Sequence, residues 1–260
     1  MDLVQVVVLA LLQGVVEFLP ISSSGHLILL PVFAGWQDQG LAFDIAVHLG
    51  TLSAVVCYFR RDLVAMALAP FKAGHPEAHL AWSIIVATIP LGVAGLLLAD
   101  SVQGILRSPG VIAGTTAGFG VVLWLADRYG GGTRSERALS WGPVVFIGMG
   151  QALALVPGTS RSGITMTAGL MMGMSRVAAA RFSFLLAIPA IAMASLWQLV
   201  QLAGDPAPVQ WFSLGLGAVL AGGTAFAAIA VFLRLIERVG MWVFALYRLV
   251  LAGVIAYALL

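Results

Sequence analysis

Charge is what this sequence has least of. Thirteen Lys and Arg and eleven Asp and Glu make 9% of 260 residues, where a soluble domain carries roughly a quarter. So few ionised side chains do not cover a water-facing surface of this size. Cysteine is nearly missing too: Cys57 stands alone, which excludes a disulfide scaffold, and it reads as a small buried hydrophobe. The net charge of +2 is too small to argue for a nucleic-acid partner. The first twenty residues have no basic leader, and their apolar run meets Glu17 instead of a small-residue cleavage site. They are expected to be mature structure and not a removed signal.

Apolar residues fill the space: 61% of the chain is hydrophobic, and the mean hydropathy is +1.04. The sequence reads as a single all-α integral membrane domain over residues 1–260. Six segments reach the ~20 residues that cross a bilayer: 41–59, 80–99, 110–126, 177–202, 211–233 and 241–260. Polar loops are expected between them, at 60–77, 100–109, 127–140, 204–210 and 234–240. The pairs Gly114/Gly118 and Gly169/Gly173 have the spacing of close helix contacts. Trp36, Trp82, Trp141, Trp211 and Trp242 fall near span ends, as interfacial belts do.

Four shorter apolar pieces are too short to cross. Residues 3–19 run into Pro20-Ile21-Ser22-Ser23-Ser24-Gly25, and 27–35 follow. Residues 142–156 run into Pro157-Gly158-Thr159-Ser160-Arg161-Ser162-Gly163, and 164–175 follow. Each pair predicts a re-entrant hairpin, tolerated only inside protein or beside water. Three full spans follow each pair, so residues of about 1–130 and 140–260 read as inverted repeats. Such repeats place a polar site where their broken helices meet.

Lys and Arg set the orientation. Arg60, Arg61, Lys72, Arg128, Arg134, Arg137, Arg176, Arg234 and Arg238 fall on one side, and Arg107 is the loop residue left on the other. The rich side is expected to be cytoplasmic. Both termini then lie outside, with the first hairpin entering from outside and the second from the cytoplasm.

The chemistry sits in the breaks. Gln13 and Glu17 share a helix face, and a carboxylate at membrane depth needs a partner. Ser22, Ser23 and Ser24 offer hydroxyls and a turn whose N–H groups cradle an anion. His26 opens the next helix. Arg161 is suited to bidentate phosphate contact, among the hydroxyls of Thr159, Ser160 and Ser162. Together these are the parts of a phosphoryl-transfer site, and its depth suits a phosphorylated lipid. Asp44 and His48, four apart, read as structural. His75 and His79 around Glu77 read as a solvated loop and not a metal site.

Gln13-Gly-Val-Val-Glu17-Phe-Leu-Pro-Ile-Ser-Ser-Ser-Gly-His26 matches an (E/Q)xxxE motif with an SSSGH continuation. Pro157-Gly-Thr-Ser-Arg-Ser162 with Thr165 matches PGxSRSxxT. On these motifs, and on the FDIAVHLGTLSAV stretch at Phe43–Val55, the whole chain resembles the bacterial undecaprenyl-diphosphate phosphatases of the bacitracin-resistance type. That resemblance implies hydrolysis of the lipid diphosphate to monophosphate and phosphate, outside the inner membrane, recycling the carrier for cell-wall synthesis. It implies Ser23 as nucleophile, His26 as acid/base, Glu17 as essential carboxylate and Arg161 as diphosphate clamp. Gln13, Ser22, Ser24, Thr159, Ser160 and Ser162 would line the pocket. A divalent cation, Mg²⁺ or Ca²⁺, is expected at Glu17. Gln13 in place of a second Glu removes a charge there, so the cation would lean on substrate phosphates. Expected partners are the polyprenyl diphosphate, membrane lipids and a homodimer mate. A lipid-phosphate transporter using the same anion site is the alternative, and it would need Arg161 but not Ser23.

Overall fold

Every segment apolar enough to span folds as a helix. The computed structural model describes residues 1–69, 75–103, 108–202 and 210–259, without the side chains of residues 24, 28 and 99–103. Lys72, Arg107 and most of the 204–210 loop lie outside the described residues. Six helices are long and apolar enough to cross a membrane: α3 (Leu41–Tyr58), α5 (Pro76–Gln103), α6 (Pro109–Tyr129), α9 (Arg176–Leu202), α10 (Trp211–Val239) and α11 (Trp242–Leu259). The shorter helices are α1 (Leu3–Val16), α2 (Ser23–Ala34), α4 (Arg60–Leu68), α7 (Trp141–Ala152) and α8 (Arg161–Met171). No β-strand forms among the described residues. The chain is thus a multi-pass, all-α membrane protein.

The expected loop at 60–77 is corrected. Residues 60–68 form α4, where Asp62 in the first turn suits the helix dipole and Met66 is buried. α5 then starts at Pro76, where the fixed φ of proline suits a first helical position. His79 therefore lies on a helix and packs against Trp141 with the rings tilted at 44°, centroids 4.8 Å apart. His75 pairs with Glu77 at 2.8 Å. Cys57 is exposed, not buried. It sits on a face of α3 left open among the described residues, and apolarity alone does not distinguish lipid from protein as the cover.

Both expected breaks are present, after Val16 and after Ala152, where a 3-10 turn (Leu153–Leu155) leads into residues 156–160. Ser22 and Ser160 immediately precede α2 and α8, and they are the two non-glycine residues with positive φ among those described, 74° and 69°. Such backbone costs about 1–3 kcal/mol each and persists where the surroundings over-determine it. Contacts run reciprocally. α1 packs on α10 and α7 on α5, while α3 packs on α10 and α9 on α5. Phe18 of the first break meets Phe184 of α9 edge-on at 5.3 Å, which pins the break to the core.

Small residues do let helices close up, but not at the expected pairs. A Cβ on Gly114, Gly118 or Gly173 would meet nothing within 4 Å; only Gly169 is tight, 3.0 Å from Met174 Sδ. The close crossings are at Gly14 against Ala221, Gly148 against Ala87, and Gly50 against Ala218. A Cβ on Gly50 would lie 2.2 Å from the Ala218 carbonyl oxygen, and rigid backbone on both sides cannot yield. Gly50→Ala is therefore expected to force α3 off α10 at a cost of about 1–3 kcal/mol. Thermal denaturation in detergent checks this, with Gly114→Ala as the control that leaves the midpoint unchanged.

At one end of the bundle the charges gather. Arg137 contacts Asp62 (2.8 Å), Glu136 (2.9 Å) and Glu77 (3.4 Å), and Arg181 contacts Asp62 and Glu136, both at 2.8 Å. This network ties α4, α5 and α9 together. Arg176 on α9 holds Asp127 on α6 through Nε and Nη2, and Asp127 also accepts from the Met241 backbone N–H.

Candidate active site

The two breaks meet through side chains from both halves. Ser162, in the first turn of α8, donates to the Leu19 carbonyl of the first break at 2.8 Å. Arg161, the first residue of α8, reaches Glu17 Oε1 at 3.4 Å through Nη2 and the Ser183 carbonyl at 3.0 Å through Nη1. Glu17 is 8% exposed, and a carboxylate so buried needs hydrogen-bonding and ionic partners of this kind.

Glu17 is the hub. Its Oε2 accepts from Gln13 Nε2 at 3.0 Å and from Ser23 Oγ at 2.7 Å. Gln13 and Glu17 are one helical turn apart, as their spacing predicts. Ser23 begins α2 beyond the positive-φ Ser22, and that sharp turn brings its hydroxyl back to the carboxylate. The hydroxyl hydrogen can go only to the carboxylate, because a carboxylate accepts and does not donate. One carboxylate thus holds a hydroxyl on one oxygen and a guanidinium on the other.

His26 is close by but faces elsewhere. Its Nδ1 lies 2.7 Å from the Ser22 carbonyl oxygen and its Nε2 lies 2.5 Å from Tyr247 Oη. A carbonyl oxygen cannot donate, so Nδ1 carries a hydrogen, and in the neutral ring Nε2 accepts from the phenol. The Tyr247 ring lies parallel to the imidazole at 5.6 Å. Among the described residues, the Ser23 hydroxyl is held by Glu17 and not by His26.

The second break is arranged around the N-terminus of α8. Ser160 Oγ accepts from the Gly163 N–H at 3.2 Å and lies 3.3 Å from Ser162 Oγ. Thr165 donates to Ser183 Oγ at 2.7 Å or to the Arg161 carbonyl at 2.8 Å. Thr159 is buried, and its hydroxyl has no hydrogen-bond partner among the described residues. The Ser24 side chain lies outside the described residues.

Three residues join the site that the sequence reading passed over. His48 Nε2 lies 3.8 Å from Glu17 Oε2, although its spacing from Asp44 reads as structural. Its Nδ1 does bond the Asp44 carbonyl at 2.7 Å, so it serves both helix and site. Tyr247 gives no signal in sequence, because a tyrosine in a span reads as an interfacial residue. Arg248 gives a clear one: an arginine inside an apolar span is functional by default.

A protein-family model described as bacitracin resistance protein BacA matches residues 6–254. The chain belongs to the BacA family. Curated relatives of the same length agree. An undecaprenyl-diphosphatase of Nitrosococcus oceani is 52% identical over 99% of both chains. Undecaprenyl-diphosphatase 2 of Stutzerimonas stutzeri is 52% identical over 98% of this chain and 97% of its own. An undecaprenyl-diphosphatase of Marinobacter nauticus is 49% identical over the whole of both. The match to the BacA model takes in both breaks, five of the long helices whole and α11 as far as residue 254, so the site just described lies wholly within the shared region.

Proposed function

We propose that this BacA-family protein is an undecaprenyl-diphosphate phosphatase that returns the lipid carrier to cell-wall synthesis and so confers bacitracin resistance. The observation that carries the reading is Glu17 holding the Ser23 hydroxyl and the Arg161 guanidinium on its two oxygens. A nucleophile, a proton acceptor and an anion clamp then converge on one point.

In this reading the diphosphate displaces Glu17 from Arg161 and takes the guanidinium as its own partner. Ser23 Oγ attacks the terminal phosphorus as its proton passes to Glu17 Oε2. The bond from phosphorus to the bridging oxygen breaks, and the lipid monophosphate leaves. Glu17 passes the first proton to the oxygen on which the lipid monophosphate leaves and is a carboxylate again; water then attacks the phosphoserine, giving one proton to Glu17, which hands it to Ser23 Oγ as phosphate departs. His26 keeps Nε2 as the acceptor for the Tyr247 hydroxyl and orients that phenol beside the first break. N–H groups at the starts of α2 and α8 face the same charge.

The residues fit a divalent cation only as a shared site. Gln13 Oε1 is buried with no hydrogen-bond partner among the described residues, and Glu17 is adjacent. No group of three His, Cys, Asp or Glu gathers among the described residues. Mg²⁺ or Ca²⁺ would thus be held by Gln13 and Glu17 with phosphate oxygens completing the shell. It would neutralise charge on the diphosphate.

The helix–break–helix pairs are re-entrant hairpins of inverted repeats in this reading. The matching φ values at Ser22 and Ser160 and the reciprocal packing of α1 on α10 and α7 on α5 support it. The charged end faces the cytoplasm of a bacterial inner membrane, and the site opens outward. The test is phosphate release from undecaprenyl diphosphate by purified protein in detergent, with Mg²⁺ and with chelator. Release with Mg²⁺ that falls on chelation is expected. No release by folded protein overturns the phosphatase reading and leaves lipid transport.

A further inference from the structure

Arg248 is 0% exposed, the largest of the fully buried side chains. No carboxylate among the described residues comes within ion-pair distance of it. Its guanidinium instead donates to four carbonyl oxygens. Nε reaches Thr116 (3.1 Å), Nη1 reaches Pro20 (3.3 Å), and Nη2 reaches Gly158 (2.9 Å) and Thr115 (3.5 Å). Pro20 belongs to the first break, Gly158 to the second, and the two threonines to α6. The same threonines hold the second break with their hydroxyls, Thr115 on the Pro157 carbonyl at 2.6 Å and Thr116 on that of Gly158 at 3.3 Å.

The neighbourhood is cut back to admit the side chain. A Cβ on Gly120 of α6 would lie 3.1 Å from Arg248 Cβ, and one on Gly163 of α8 would lie 3.0 Å from Nη1. A buried cation without a counter-charge is a poor source of stability; an apolar side chain of similar volume would serve better. What an apolar side chain cannot do is bond two separate loops at once. A planar fork with five N–H groups can.

We propose that Arg248 is a positioning residue for phosphoryl transfer, one guanidinium tying the two breaks in fixed register. Pro20 stands three residues before Ser23, and Gly158 three residues before Arg161. The tie therefore sets the nucleophile against the anion clamp without touching the substrate. This assignment rests on the phosphatase reading above. Loss of register affects the transition state more than binding, because Arg161 still meets the diphosphate while Ser23 is misaimed. A misplacement of ~1 Å can cost ~100-fold in rate.

The experiment compares wild type, Arg248→Lys and Gly120→Ala in undecaprenyl diphosphate hydrolysis, with kcat normalised to folded protein and each melting midpoint recorded. Lysine keeps the charge but donates from a single point, so it does not span Pro20 and Gly158. Its kcat is expected to fall about 100-fold with KM within about threefold of wild type. Gly120→Ala pushes on Arg248 from α6, and the nearest atoms to the new methyl belong to Arg248 and Ala245, not to Glu17, Ser23 or Arg161. It is expected to lower kcat about tenfold in the same pattern, and it carries the test if the lysine variant does not fold. A wild-type kcat in either folded variant, whatever its melting midpoint, overturns the assignment. Absence of release by wild type overturns the phosphatase reading instead, which keeps the two failures distinct.

Discussion

Ser23→Ala is expected to lose at least ~10³-fold in kcat while keeping the wild-type KM. The methyl group removes the attacking oxygen and one hydrogen bond to Glu17 Oε2, but Gln13 still donates to that oxygen and Arg161 to the other. Fold and binding site therefore persist. Phosphate release from undecaprenyl diphosphate, with lipid binding measured alongside, checks both halves of the expectation. The result separates two chemistries at one site. If water attacks directly, with Glu17 as its base, the alanine variant retains most of its rate because the base is freed. A lipid transporter predicts the same indifference to Ser23. Trapping of a phosphorylated wild-type chain by acid quench, absent in Ser23→Ala, would add the covalent intermediate itself.

The sequence carried the architecture because the bilayer imposes a simple rule. About twenty apolar residues make a span, and 110–126, 177–202 and 211–233 each sit within a long helix. It missed α4, because Arg60, Arg61 and Asp62 look like a loop when hydropathy is the only measure. It misjudged Cys57, because lipid and protein bury apolar side chains alike. The candidate constellation was legible where residues lie close in sequence: Gln13 to Glu17 is one turn, and Ser22 to His26 is another. It was legible across the halves only at Arg161 and Glu17, since a buried guanidinium and a buried carboxylate each require a partner. Direction was not legible. His26 and Ser23 are three residues apart, yet the imidazole points to Tyr247 on α11 and the hydroxyl to Glu17. Neither the 2.5 Å contact to Tyr247 nor the four carbonyls around Arg248 has any trace in local spacing, because the first joins residues 221 apart in sequence and the others residues 90 to 228 apart.

Arg161 is expected to show the second large effect, and here stability and catalysis should part. Arg161→Ala removes the cation that meets the diphosphate, so kcat should fall about 10²–10³-fold and KM should rise as well. It also strands Glu17 at 8% exposure, and breaking a buried pair from one side costs about 3–5 kcal/mol. Its melting midpoint should drop. In the double variant Glu17→Gln with Arg161→Met, no charge is left alone, so most of that stability should return while activity stays lost. Arg161→Lys keeps the charge but not the fork that reaches both Ser183 and Glu17, and it should retain more binding than rate. Melting midpoints and hydrolysis measured on all three variants check the pattern. A double variant that melts as low as Arg161→Ala would mean that the pair stabilises the fold. Recovery of the midpoint without recovery of activity would mean that this pair is kept in a nonpolar bundle for the anion it binds. That would also explain its geometry. At 3.4 Å the Arg161–Glu17 contact is longer than the 2.5–3.1 Å contacts of Arg176 with Asp127. The looser pair is the one that must open for a phosphate, and the tighter one has only to hold two helices together.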